Sequence, residues 1–147
     1  MKKMFVLGIV VLMIAMLAVP TASASPRQDF YLEKLCPSAD NPNACDIVTA
    51  DPFMQLVGGQ IIYTDRVLWE NPAGHMFEIA KVVITTGDNS GSAMGQVRWL
   101  GDYGLITIMQ GTGSLAGLQA NAKVEFKEIA PDGRYLFSLT GTYHVDP

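Results

Sequence analysis

Polar side chains set inside apolar strands are the residues of this chain best placed to do chemistry. Tyr63, Glu78, Arg98, Thr107 and Tyr135 each fall where an extended segment can point them inward. Glu78 lies between Met76 and Ala80 at a period of two, so the three share one face of a strand. A carboxyl in an apolar cavity has a raised pKa and serves as an acid or a base. The opposite face carries Phe77, Ile79 and Val83, and if that face meets the core, Glu78 meets water. Both registers stay open, because a slip of one residue exchanges the two faces. Glu70, beside the turn Asn71-Pro72-Ala73-Gly74, is a second carboxylate candidate, and the Tyr63 hydroxyl is the matching hydrogen-bond donor. Tyr63, Trp99, Tyr135 and Phe137 are the side chains expected to line a ligand cavity.

Other chemistries find less support. His75 and His144 are the only histidines, whereas a zinc site takes three or four nitrogen or sulfur ligands, so no metal and no cofactor is expected. The run Gly111-Thr112-Gly113-Ser114-Leu115-Ala116-Gly117 lacks the G-K-[ST] ending of a phosphate-binding loop, and no helical pattern follows it. Its glycines read instead as a tight bend before the next strand. Ser114 precedes Leu115 in that bend and has none of the context of a nucleophile elbow.

The segments that must position the candidates are strands. Period-two patterning takes over from Gly58, in segments Gln60 to Trp69, Met76 to Thr86, Met94 to Leu100, Tyr103 to Gln110, Gln119 to Glu128 and Arg134 to Tyr143. Within them the residues that share one face are Ile61, Tyr63, Val67 and Trp69; Val97 and Trp99, with Gln96 and Arg98 on the other face; and Tyr135, Phe137, Leu139 and Tyr143. In the fifth segment Ala120, Ala122, Val124 and Phe126 are expected to face inward. Gly87 to Gly91, Gly101-Asp102 and Pro131-Asp132-Gly133 supply turns. Short turns between strands predict an antiparallel meander that closes into a small barrel or stacks as two sheets. Residues 25–57 read as a proline-punctuated extension in which only Asp29 to Leu35 suits a short helical turn; residues 58–147 read as the barrel domain.

Ahead of both lies Met1-Lys2-Lys3, an uncharged run from Met4 to Val19, and Ala22-Ser23-Ala24. These are the three parts of a cleavable signal, which assigns residues 1–24 to export. The apolar run is shorter than the roughly 20 residues that span a bilayer, so no stable membrane anchor is expected. With Lys2 and Lys3 removed, 8 basic residues face 14 acidic ones, a formal charge of −6. Such a surface suits a secreted or periplasmic protein and disfavours nucleic acid and anionic membranes. Cys36 and Cys45, an isolated pair at short spacing, read as a disulfide that staples the extension around a turn at Asp40-Asn41-Pro42-Asn43.

Ile106 to Gly117, followed by the alternating Ala120 to Phe126, resembles the allene oxide cyclase-like barrel superfamily, which includes the dirigent proteins. Gly101-Asp102-Tyr103-Gly104 and the ending Leu139-Thr140-Gly141-Thr142-Tyr143-His144 fit the same pattern. The likeness spans residues 94–145, and 58–93 by strand pattern alone; the family often has glycine where this chain has Gln110 and Ala120. It implies an all-β, eight-stranded antiparallel barrel with an apolar interior. The two further strands would lie between Ile47 and Leu56 and near Tyr103. It also implies a small apolar ligand or, alternatively, a cofactor-independent cyclase or isomerase acting on an unsaturated lipid or polyketide, with Glu78 or Glu70 as acid or base. A barrel without a ligand, structural or interacting, is the third expectation, and a dimer or trimer is the expected assembly. The plant cyclases carry their catalytic carboxylates and amides in the first strands, where no residue here matches; Glu70-Asn71-Pro72 has similar types but sits at a turn.

Overall fold

The computed structural model describes residues 25–37 and 43–147. The signal-like segment 1–24 and the turn residues Asp40 to Pro42 lie outside the described residues. Eight strands form one closed antiparallel barrel in chain order: β1 Gln28–Cys36, β2 Ala44–Asp51, β3 Gln60–Glu70, β4 Met76–Thr85, β5 Gly91–Leu100, β6 Tyr103–Gly113, β7 Leu118–Ile129 and β8 Tyr135–Val145. The seam is the pairing of β1 with β8, from Gln28 opposite Tyr143 to Cys36 opposite Tyr135. Closure removes both sheet edges, so the backbone of every stave finds partners in its neighbours.

Three expectations change. Residues 28–51, set apart above as an extension, supply the first two staves, and Asp29 to Leu35 is strand rather than helical turn. β1 hides in the sequence because its inward set is Phe30, Leu32, Lys34 and Cys36: a lysine interrupts the apolar alternation. The second additional strand is therefore β1, and Tyr103 opens β6. The third change is in β3. Thr64 pairs with Lys81 and Val67 with Ile79, so Asp65 and Arg66 together oppose Ala80 in a bulge, with Asp65 at φ +50°. A bulge adds one residue and exchanges the faces beyond it. Ile61 and Tyr63 stay inside, but Val67 and Trp69 turn outward at 61% and 44% exposure. Arg66 and Leu68 take their places at the mouth.

The closed half of the barrel is packed. Leu32, Ile47, Ile61, Val82, Ile84, Val97, Ile106, Ile108, Val124 and Leu139 are buried there, with Ala80, Ala93, Ala120 and Ala122 where the walls approach closely. Phe30, Phe53 and Tyr143 meet edge to face and cap that end, with centroids 4.5–6.5 Å apart. The glycine-rich run ends β6. A Cβ on Gly111 would sit 1.7 Å from the Leu115 carbonyl oxygen, so the bend requires glycine there, and buried Leu115 tucks beneath it. Outward positions of the later strands carry Gln96, Arg98, Thr107, Asn121, Lys123, Glu125 and Thr140.

Cys36 and Cys45 form the disulfide, joining the end of β1 to the start of β2, as an oxidising compartment permits. Both are fully buried and belong to the barrel wall rather than to an appendage. Replacing both by Ala should lower stability by about 2–3 kcal/mol, the loop-closure value for a loop of about ten residues. Urea midpoints of the oxidised protein and the variant check this; equal midpoints would show that the bond contributes no stability.

Candidate functional site

Among the described residues, nothing fills the other half of the barrel. The ends of β1, β3, β5 and β7 and the starts of β4 and β8 surround an open cavity of about 680 Å³. Its walls are largely apolar: Leu68, Met76, Phe77, Trp99, Phe126, Tyr135 and Phe137. Trp99 and Phe137 meet edge to face at 5.7 Å, and Phe126 packs on Phe137 at the same distance. Gly104 backs the Trp99 ring: a Cβ there would lie 3.2 Å from the indole, which would have to give by a few tenths of an ångström.

The floor is polar. Lys34 is 1% exposed and reaches the cavity from β1. Its Nζ donates to the Tyr63 hydroxyl and lies 4.6 Å from the Tyr63 ring centroid and 5.3 Å from that of Phe137. Nζ lies off the hydroxyl end of the Tyr63 ring, so only the Phe137 ring offers it a π contact, and that returns a small part of the hydration that the ammonium loses. On the wall above, the Arg66 guanidinium grips Glu78 with both prongs, Nε to Oε1 at 2.6 Å and Nη2 to Oε2 at 3.0 Å. Both side chains are nearly buried, at 14% and 12% exposure, and Arg66 Nη1 also reaches the Asn43 amide oxygen at 3.3 Å. A fork-to-fork pair of this kind fixes both partners in one orientation.

Burial pushes the Lys34 ammonium down to about 7, with the Glu78 carboxylate opposing the change. Burial pushes the Tyr63 phenol well above its ordinary value; Glu78 adds to this and Arg66 subtracts. Tyr63 therefore stays protonated at any ordinary pH, while Lys34 divides between amine and ammonium near neutrality.

The barrel thus brings Tyr63, Glu78, Trp99, Tyr135 and Phe137 to one cavity. Glu78 lies on the inward face of β4 with Ala80, Val82 and Ile84, so the register that sends it to water does not occur. Glu70 does not join them. It is exposed at the end of β3, over the Asn71 turn, where Asn71 Oδ1 accepts from the amides of Ala73 and His75. Arg98 and Thr107 face outward, Thr107 donating to Asn121. Two residues of the floor escaped the sequence reading. Lys34 sat in the supposed extension, and Arg66 points inward only because of the bulge. The adjacent Asp65, a residue that tolerates positive φ, was the one available signal. Among the described residues no three His, Cys, Asp or Glu side chains cluster as a metal site.

No family model matches the chain, and no curated protein sequence matches it. Among solved structures it is similar to a pterocarpan synthase dirigent protein, at 11% identity over 86% of this chain and 95% of that one, with a TM-score of 0.43. The closed eight-stranded antiparallel barrel is the architecture that the dirigent-like resemblance implies.

The buried lysine gives a signed pH dependence. An unfolded lysine titrates near 10.4. Between about 7 and that value the unfolded chain holds the proton and the folded chain does not, so stability rises with pH across this window. Below about 7 both states are charged, and the folded chain bears the full desolvation cost. Wild type should therefore gain stability relative to Lys34→Met on going from about pH 6.5 to about pH 9.5, by on the order of 3 kcal/mol. Paired denaturation curves measure it; parallel pH profiles would mean that Lys34 titrates as an ordinary lysine.

Proposed function

We propose that this chain is an exported barrel that binds a small, largely apolar molecule in its mouth-end cavity. The observation that carries the reading is the contrast between the two halves of one interior. One half is packed to its cap, and the other leaves about 680 Å³ between aromatic walls. The volume falls in the range of small-molecule sites, which are mostly apolar with a few fixed polar groups. Here those groups stand at the floor and on one wall, so an elongated guest would enter polar end first. The Arg66–Glu78 pair neutralises itself, which favours an uncharged polar end over a carboxylate.

Tryptophan fluorescence tests the reading. Trp99 lines the cavity and Trp69 lies outside it, stacked on Phe77. In a Trp69→Phe background, titration with N-phenyl-1-naphthylamine should quench Trp99 and saturate. Leu68→Trp, which fills the half-exposed mouth, should weaken binding by at least about tenfold, the effect of losing a good apolar contact surface. Unsaturable quenching, or equal affinity in the filled variant, would contradict occupancy of this cavity.

The inward carboxylate of Glu78 favours a second reading, a cofactor-independent cyclase or isomerase with Glu78 as acid or base and Tyr63 as donor. The Arg66 fork engages both Glu78 oxygens, so catalysis would require that pair to open when substrate binds. Incubation with an unsaturated fatty-acid epoxide should then give a cyclic product that Glu78→Gln does not form. Racemic product at the spontaneous rate would exclude it for that substrate class.

A further inference from the structure

We propose that Lys34 is a nucleophilic amine that captures an apolar aldehyde or ketone in the cavity as an imine. The inference rests on the binding reading above and names the chemical class of its ligand. Lys34 is the one described lysine inside the barrel: Lys81, Lys123 and Lys127 are exposed on its outer face. Lys81 is paired with Asp65 and Lys123 with Glu125. Among the described residues no carboxylate makes an ion pair with Lys34; its neighbours are the Tyr63 phenol and the Phe137 ring. A buried charged amine without an ion-pair partner is costly, whereas a neutral amine there is not. The amine opens onto the cavity, where a guest aligned by the aromatic walls would present its polar end. Desolvation in an apolar pocket is a recognised way to activate a lysine as a nucleophile.

The chemistry balances without an oxidant or cofactor. The Nζ lone pair attacks the carbonyl carbon, and the carbonyl π pair moves to oxygen, which accepts a hydrogen bond from the Tyr63 hydroxyl. The nitrogen gives up a proton to solvent and the oxygen takes one from solvent, leaving a neutral carbinolamine. Solvent protonates its hydroxyl, the nitrogen lone pair expels water, and the resulting iminium returns that proton to solvent. Amine and carbonyl thus give imine and water. Tyr63, held against Nζ, ends as it began.

At pH about 7 a lysine titrating near 7 holds on the order of 10³ times more free amine than an exposed lysine. Lower basicity offsets part of that gain by lowering intrinsic nucleophilicity. The test is reductive trapping of the disulfide-intact protein with trans-cinnamaldehyde and cyanoborohydride, followed by peptide mapping. Lys34 should be alkylated at least about tenfold faster than Lys81, Lys123 or Lys127. Its rate should level off above about 7, where theirs still climb. Tyr63→Phe should slow trapping by a larger factor than it weakens binding of cinnamyl alcohol, which is measured beside it. Surface lysines trapped as fast as Lys34, or Lys34 unmodified, would overturn the proposal. Cinnamyl alcohol separates the two levels by quenching of Trp99 in the Trp69→Phe protein. If the alcohol binds and the aldehyde is not trapped at Lys34, only the imine chemistry fails; if the alcohol does not bind either, the binding reading fails with it.

Discussion

The bulge at Asp65 and Arg66 determines what the mouth of the barrel contains. In a closed sheet each strand has one inside face, and the period of two fixes its members from end to end. Without the extra residue, β3 would carry Ile61, Tyr63, Asp65 and Val67 inward, and Glu78 on β4 would have no cation across from it. A carboxylate so nearly buried and unpaired is expensive. The insertion turns Arg66 in, gives Glu78 its bidentate partner, and places Trp69 outside to stack on Phe77. The pair then ties β3 to β4 beyond the β2–β3 ladder, which among the described residues pairs Ala44 to Asp46 with Gln60 to Ile62.

The floor follows from the same constraint. Lys34 stands at an inward position of β1 between Leu32 and Cys36, both buried. An aliphatic side chain there would pack without any desolvation cost. The lysine instead relies on the Tyr63 hydroxyl and the Phe137 ring, which compensate the charged form only in part. Places where a chain breaks its own local rule without structural benefit are where function is expected. The packed half can carry that cost, because its buried aliphatic residues, its aromatic cap and the Cys36–Cys45 bond hold the staves independently of the mouth.

How far the sequence disclosed this varies along the chain. β4 to β8 were legible because their alternation is regular and their turns carry Gly, Asn and Asp. The inward face of β7 was read correctly down to Phe126, and in β5 Val97 and Trp99 share a face opposite Gln96 and Arg98 as expected, although the sequence left open which of those faces points inward. β1 and β2 were not, because Lys34 breaks the alternation of one, and prolines at 37, 42 and 52 frame both as loop-like. In β3, residues before the bulge were placed correctly and those after it on the wrong face, since a bulge leaves little trace in residue types. The cavity gathers Tyr63, Glu78, Trp99, Tyr135 and Phe137 as anticipated, but Lys34 and Arg66 became visible only with the register of the closed barrel.

The claim on which the account turns is that the mouth-end cavity receives an apolar guest. A crystal structure of the disulfide-intact protein grown with a brominated naphthalene measures this most directly, through the anomalous signal of bromine. The account predicts one peak between Trp99, Phe137 and Leu68, above Lys34. Bromine found only on the outer wall, or Phe126 and Tyr135 collapsed into the space, would contradict it.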